Sequence, residues 1–134
     1  MVKNKKYLID SSVVMALFNE EDRQNRKARL LFAKLKRERA GIKILWITIV
    51  ELVSLMKYRK IIDWKLYSAK LVDESIFEIE NSYVFSEDGL AWKLTMEKDK
   101  IGMIDAIEIE VGMKNKYNLL TFNKAQEKEW QLVV

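Results

Sequence analysis

Lys6-Tyr7-Leu8-Ile9-Asp10-Ser11-Ser12-Val13-Val14-Met15-Ala16-Leu17-Phe18 passes from a short apolar stretch, through an acid and two serines, into a second apolar run. Residues 6–9 read as a strand, Ser11-Ser12 as a helix cap, and residues 13–18 as the helix that follows. A strand that turns at once into a helix, with a carboxylate at the junction, is the building unit of a parallel α/β sheet. Such sheets bind ligands outside the carboxyl ends of their strands, where separate loops converge.

The same transition recurs. Ile44-Leu45-Trp46-Ile47 is continuously apolar, as a central strand covered on both faces is. It leads into a helix over residues 48–59 with Ile49, Leu52, Val53 and Met56 as its packing stripe. Before it, a helix over 22–39 sets Ala28, Leu31, Phe32 and Leu35 on one face, and Gly41 ends it. Further on come a helix at 64–75, an extended stretch at 76–79, and a helix at 87–98 capped by Ser86. A helix at 103–114, a strand at 119–122, a short helix at 124–128 and a final strand at 132–134 complete the chain. Residues 83–85 fit a brief strand or part of a connection. The expected fold is α/β: a three-layer α/β/α sandwich around a mostly parallel sheet, formed by one domain over residues 1–134. A chain of this length with 49% hydrophobic residues has enough apolar material for such a core.

Composition narrows the chemistry. Cysteine and histidine are both absent, which excludes disulfides, thiolate and imidazole metal sites, and the commonest general base. Catalysis must rest on carboxylates, hydroxyls, amines and oxygen-bound metals. No apolar run approaches the roughly 18 residues of a membrane span, and the stretch after Lys3, Lys5 and Lys6 is too short for a signal peptide. A cytoplasmic location without membrane attachment is expected. Net charge is +4, yet nine Lys/Arg fall between Arg23 and Lys43 against one acid, Glu38. The segment is either a solvated helix face or a surface for a phosphate-rich partner. Trp64 and Trp92 occupy helical positions and read as core.

Three acids remain: Asp10, Glu51 and Asp105. Each has a structural explanation on its own. Thr48-Ile49-Val50-Glu51 fits a capping box, as does Asn123-Lys124-Ala125-Gln126, and Asp10 fits a turn. Together they recur in one topological place, at strand ends or on the first turns of helices. Two carboxylates ~5 Å apart repel by about 3 kcal/mol at an effective dielectric of 20. A hard divalent cation such as Mg²⁺ or Mn²⁺ offsets that cost.

At this point the chain resembles the PIN domain family, and within it the VapC-type toxins of toxin–antitoxin pairs. The resemblance rests on Tyr7-Leu8-Ile9-Asp10-Ser11-Ser12, Thr48-Ile49-Val50-Glu51, Ile104-Asp105-Ala106-Ile107 and Leu119-Leu120-Thr121-Phe122-Asn123, four motifs in order and nearly end to end. It implies a metal-dependent endoribonuclease. Asp10, Glu51, Asp105 and Asn123 would ligate Mg²⁺ or Mn²⁺, and Ser12, with Ser11 beside it, would orient a carboxylate or the attacking water. Ser12 serves equally well as a helix cap. The resemblance also implies an RNA substrate, a small antitoxin protein and a homodimer. Arg23, Arg26, Lys27, Lys34 and Arg37 are the residues expected to hold the RNA backbone.

Two departures stand out. Asn123 replaces the family's fourth acid with a neutral oxygen donor, and Glu108 and Glu110 stand where apolar residues are usual. Glu108, three residues beyond Asp105, shares its helix face and is either a replacement charge or a surface residue. Asn123 also motivates an alternative, a catalytically degenerate RNA- or protein-binding module. A haloacid-dehalogenase-type phosphotransferase would want an acid at position 12, where Ser12 stands.

Overall fold

The computed structural model describes residues 5–134, so Lys3 of the basic start lies outside them. Four strands, β1 (Lys6–Ile9), β2 (Gly41–Leu45), β3 (Glu78–Glu80) and β4 (Asn118–Leu120), form one sheet. Its order is β3-β2-β1-β4 and every neighbouring pair is parallel. The helices are α1 (Ser11–Phe18), α2 (Asn25–Arg37), α3 (Trp46–Tyr58), α4 (Trp64–Leu71), α5 (Leu90–Glu97), α6 (Met103–Asn115) and α7 (Lys124–Val133).

Strand alternation divides the core in two. Leu8 and Leu45 join a cluster with Ala91, Leu94, Ile107 and Ile109 of α5 and α6. The adjacent Ile9 and Ile44 point the other way, into a cluster with Val13 and Val14 of α1, Ile49 and Leu52 of α3, and Phe77. Successive strand residues face opposite sides, so a strand buried on both faces needs apolar residues at every position. Leu8, Ile9, Ile44 and Leu45 meet that demand, each contributing about 1.5–3 kcal/mol by burial. The expected three-layer α/β/α architecture is the one observed.

Several boundaries differ from expectation. The second strand occupies Gly41–Leu45, and Trp46 and Ile47 already belong to α3. Both are exposed, because the hydrophobic run continues past the strand onto a helix face that the core does not cover. Gly41 opens β2 instead of ending α2; the left-handed residue after α2 is Arg39, at φ 53°. Lys60 and Lys116 follow α3 and α6 in the same conformation. Helix α5 begins at Leu90 with Gly89 as its N-cap, while the Ser86 hydroxyl only accepts from Asp88 N within the preceding turn. The expected final strand at 132–134 does not form, since α7 continues through Val133. Trp130 of α7 lies against Gly112 of α6, with ring carbons 3.0 and 3.1 Å from where a Cβ would sit. That docking holds the end of the chain helical against α6. Trp64 and Trp92 are half-buried, at the margins of the core.

Candidate metal centre

From β1 the chain winds through β2 and β3 on one side, then returns to β4 on the other side of β1. The winding therefore reverses between β1 and β4, and it is at such a reversal that parallel sheets bind ligands, outside the strand carboxyl ends. Asp10 stands there, its N–H donating to Leu120 O at 2.9 Å. It is 2% exposed and is the N-cap of α1. Its Oδ2 accepts from Ser12 N at 3.0 Å, from the Ser12 hydroxyl, and from Thr121 Oγ1 at 3.2 Å. Ser12 Oγ in turn accepts from Phe122 N at 2.9 Å, which ties the start of α1 to the end of β4. The cap is thus Asp10, and the serines that were expected to start the helix lie within it. Asp10 Oδ1 is buried and has no hydrogen-bond partner among the described residues.

Helix α6 supplies the facing carboxylates. Asp105 lies on its first turn and Glu108 one turn further along. One ligand oxygen each from Asp10, Asp105 and Glu108 lie within 4.8 Å of one another. Glu108 is fully buried, with Oε2 accepting from Thr48 Oγ1 at 3.1 Å and Oε1 from Gln126 Nε2 at 2.9 Å. Gln126 Nε2 also donates to Asp105 O at 3.2 Å. Thr48 sits inside α3, whose N-cap is Leu45, so the expected capping box of Thr48 and Glu51 is absent and the Thr48 hydroxyl serves Glu108.

Glu51 borders this group from α3. Its carboxyl is raised above the usual range, first by burial and then by Asp10, with the Ser11 hydroxyl acting in the opposite direction. Asp105 is pushed up to about 7, by burial first and then by the neighbouring Asp10 and Glu51. Burial holds Glu108 well above the ordinary carboxylate range, and Asp10 and Asp105 add to it against the opposing Gln126 amide. The common cause is negative charge gathered in a place shielded from water. A hard cation relieves all three at once, and an all-oxygen donor set with an unpartnered buried Oδ1 fits Mg²⁺ or Mn²⁺.

Asn123 follows Thr121 and Phe122, which bond to Asp10 and Ser12. Its Oδ1 accepts from Ala125 N at 3.0 Å and Gln126 N at 3.1 Å, capping α7. Of the basic residues, Arg23 precedes α2, and Arg26, Lys27, Lys34 and Arg37 lie along its exposed side. The Lys27 ammonium rests 4.9 Å from the centroid of the Phe122 ring, next to Asn123. Sequence reasoning missed Gln126, whose side chain leaves the capping box it was expected to complete and reaches Glu108 instead. It also left Glu108 undecided between pocket and surface.

The family model that matches this chain is the PIN domain, over residues 7–128, and the chain belongs to that family. Its fold is similar to the crystal structure of VapC20 from Mycobacterium tuberculosis, described as a toxin that cleaves the sarcin–ricin loop. The TM-score is 0.76 at 19% sequence identity, over 92% of this chain and 94% of that one. No curated protein matches the sequence. Among the described residues, no helix is long and apolar enough to cross a membrane.

Proposed function

We propose that this chain is a divalent-metal-dependent endoribonuclease of the VapC toxin type, hydrolysing RNA phosphodiester bonds at the carboxyl ends of β1 and β4. The observation that carries the reading is the convergence of buried carboxylates around Asp10, whose Oδ1 has no partner among the described residues. Asp10, Asp105 and Glu51 are the residues assigned to hold Mg²⁺ or Mn²⁺. A bound ion of this kind lowers the pKa of water and polarises the phosphate under attack.

The chain's own groups do the rest. Ser12 and Thr121 fix the Asp10 carboxylate by its Oδ2, leaving Oδ1 free for a ligand. This makes Ser12 a positioning residue acting through Asp10. Arg23, Arg26, Lys27, Lys34 and Arg37 offer the charge that a polyanion needs; such contacts give affinity and register without reading sequence. With no histidine in the chain, proton transfer falls to the carboxylates and water. A small antitoxin protein and a second copy of the chain are the protein partners that go with this assignment, and a cytoplasmic location goes with an RNA substrate.

The test is cleavage of a mixed structured RNA by purified protein with Mn²⁺, Mg²⁺ or chelator, beside the Asp10→Asn variant. Metal-dependent cleavage that falls at least 100-fold in the variant is expected. Asn123 supports a second reading, a PIN-like binding module without catalysis, and RNA binding that survives while neither protein cleaves would select it.

A further inference from the structure

We infer that Glu108 supplies the fourth carboxylate of the metal pocket, so that in this chain the negative charge sits on α6 instead of at position 123. The inference rests on the nuclease reading above and deepens it.

The two unusual acids of α6 have different surroundings. Glu110 is accounted for by structure alone: its Oε1 accepts from Ala91 N at 3.0 Å, at the start of α5, and its Oε2 pairs with Lys114 Nζ at 3.3 Å. Glu108 has no cation beside it among the described residues; the ion pairs there are Lys43–Glu78, Lys98–Glu129 and Lys114–Glu110. Its donors are one hydroxyl and one amide, from Thr48 and Gln126. Two neutral donors do not make up for placing an acid in a site with no exposure and two other carboxylates close by. A core residue at this position would be apolar. A metal ligand would be held as Glu108 is held, with its orientation set by neutral groups and its charge left for the ion.

The geometry agrees. The three oxygens lie within 4.8 Å of one another, against about 4.2 Å for opposite and about 3 Å for adjacent oxygen ligands of one Mg²⁺, which is the scale of a shared ion. Asp10 Oδ1 is buried and takes no hydrogen bond from a hydroxyl, amide or backbone N–H among the described residues, as an oxygen kept for a cation would be. Position 123 has a different task. Asn123 Oδ1 accepts from two backbone N–H groups of α7, and that cap fixes the first turn of α7, from which the Gln126 amide reaches Glu108. Residue 123 thus bears on Glu108 through the placement of Gln126.

The experiment is calorimetric titration of Mn²⁺ into the intact chain, together with thermal melting with and without the ion, for wild type, Glu108→Gln, Asp10→Asn and Asn123→Ser. Serine keeps an N-capping oxygen at 123 while removing the amide. Glu108→Gln is expected to weaken Mn²⁺ binding at least tenfold, to raise the melting temperature of the metal-free protein by removing a buried acid, and to abolish most of the Mn²⁺-induced rise. Asn123→Ser stays within twofold of wild type in Mn²⁺ affinity. In the Glu108→Gln background, Asn123→Asp recovers part of the lost affinity. If Asp10→Asn loses binding while Glu108→Gln keeps it, Glu108 is a buried structural acid and this inference is overturned while the metal-site reading stands. If wild type binds no Mn²⁺, both are overturned together.

Discussion

Asp105 sets the pH response of the pocket. Its carboxyl titrates near 7 in the folded chain, against about 3.9 in an unfolded one. A carboxyl with a raised folded value binds its proton more tightly in the native state. Its contribution to stability is therefore full below the unfolded pKa and is lost as the pH rises through about 7. Glu108 is shifted in the same direction, and no histidine titrates in this window. The metal-free protein should melt at a lower temperature at pH 8 than at pH 5.5. Mn²⁺ affinity should run the other way, rising more than about tenfold between pH 5.5 and 7.5 as the proton that competes with the metal is lost. Melting and calorimetry across that range check both signs. The pocket was only partly legible at this scale. Asp10, Glu51 and Asp105 stand out because each follows an apolar run that marks a strand end or a helix start. Glu108 does not, because helical spacing places it on the face of Asp105 without saying whether that face is buried. Gln126 was hidden by a local alternative: three residues after Asn123 it satisfies a capping pattern, and only the packing of α7 on α6 reveals its other partner.

Helix α2 shows what periodicity can and cannot decide. Its apolar positions were readable, and Ala28 and Leu35 are buried with Leu31 and Phe32 packed beside them. The periodicity also put Arg26, Lys27, Lys34 and Arg37 on the wet side, but a wet side and an RNA-binding side have the same pattern. If this face binds RNA, replacing Lys27 and Lys34 with Gln should weaken binding and flatten its salt dependence by roughly 0.7 in log–log slope for each phosphate that is no longer neutralised. The rate at saturating RNA should hold nearly constant, because neither residue is assigned to the metal. Filter binding across a salt series measures the slope. Elsewhere, short apolar runs were the weak signals. Residues 132–134 look like a strand in isolation, yet Trp130 and Val133 are three apart and keep the helix packed on α6. Glycine at 41 suggested a helix stop, whereas Arg39 takes the left-handed position itself, at some conformational cost that glycine would avoid.

In the molecule as a whole, the strand order explains how Asp10 comes to lie within ligand distance of Asp105 and Glu108, with Glu51 at the border. With β1 between β2 and β4, the end of β1 places Asp10 beside the end of β4, while α3 leaves β2 carrying Thr48 and Glu51. Helix α6, buried along most of its length, brings Asp105 and Glu108 to the same end of the sheet. The α/β/α sandwich was legible because a doubly covered parallel sheet leaves continuous apolar strands; which carboxylates it brings within ligand distance follows from register and helix packing, which no local pattern encodes. The similarity of fold to VapC20 at 19% identity fits the same view, since this arrangement depends on patterning more than on particular core residues. The central claim is that this end of the sheet holds a divalent metal. Anomalous diffraction from crystals soaked in Mn²⁺ tests it most directly. One dominant peak is expected within coordination distance of Asp10 Oδ1 and the Asp105 carboxylate, with Glu51 or Glu108 completing the protein ligands. A fully soaked crystal with no peak there, or with its strongest peak elsewhere, would contradict it.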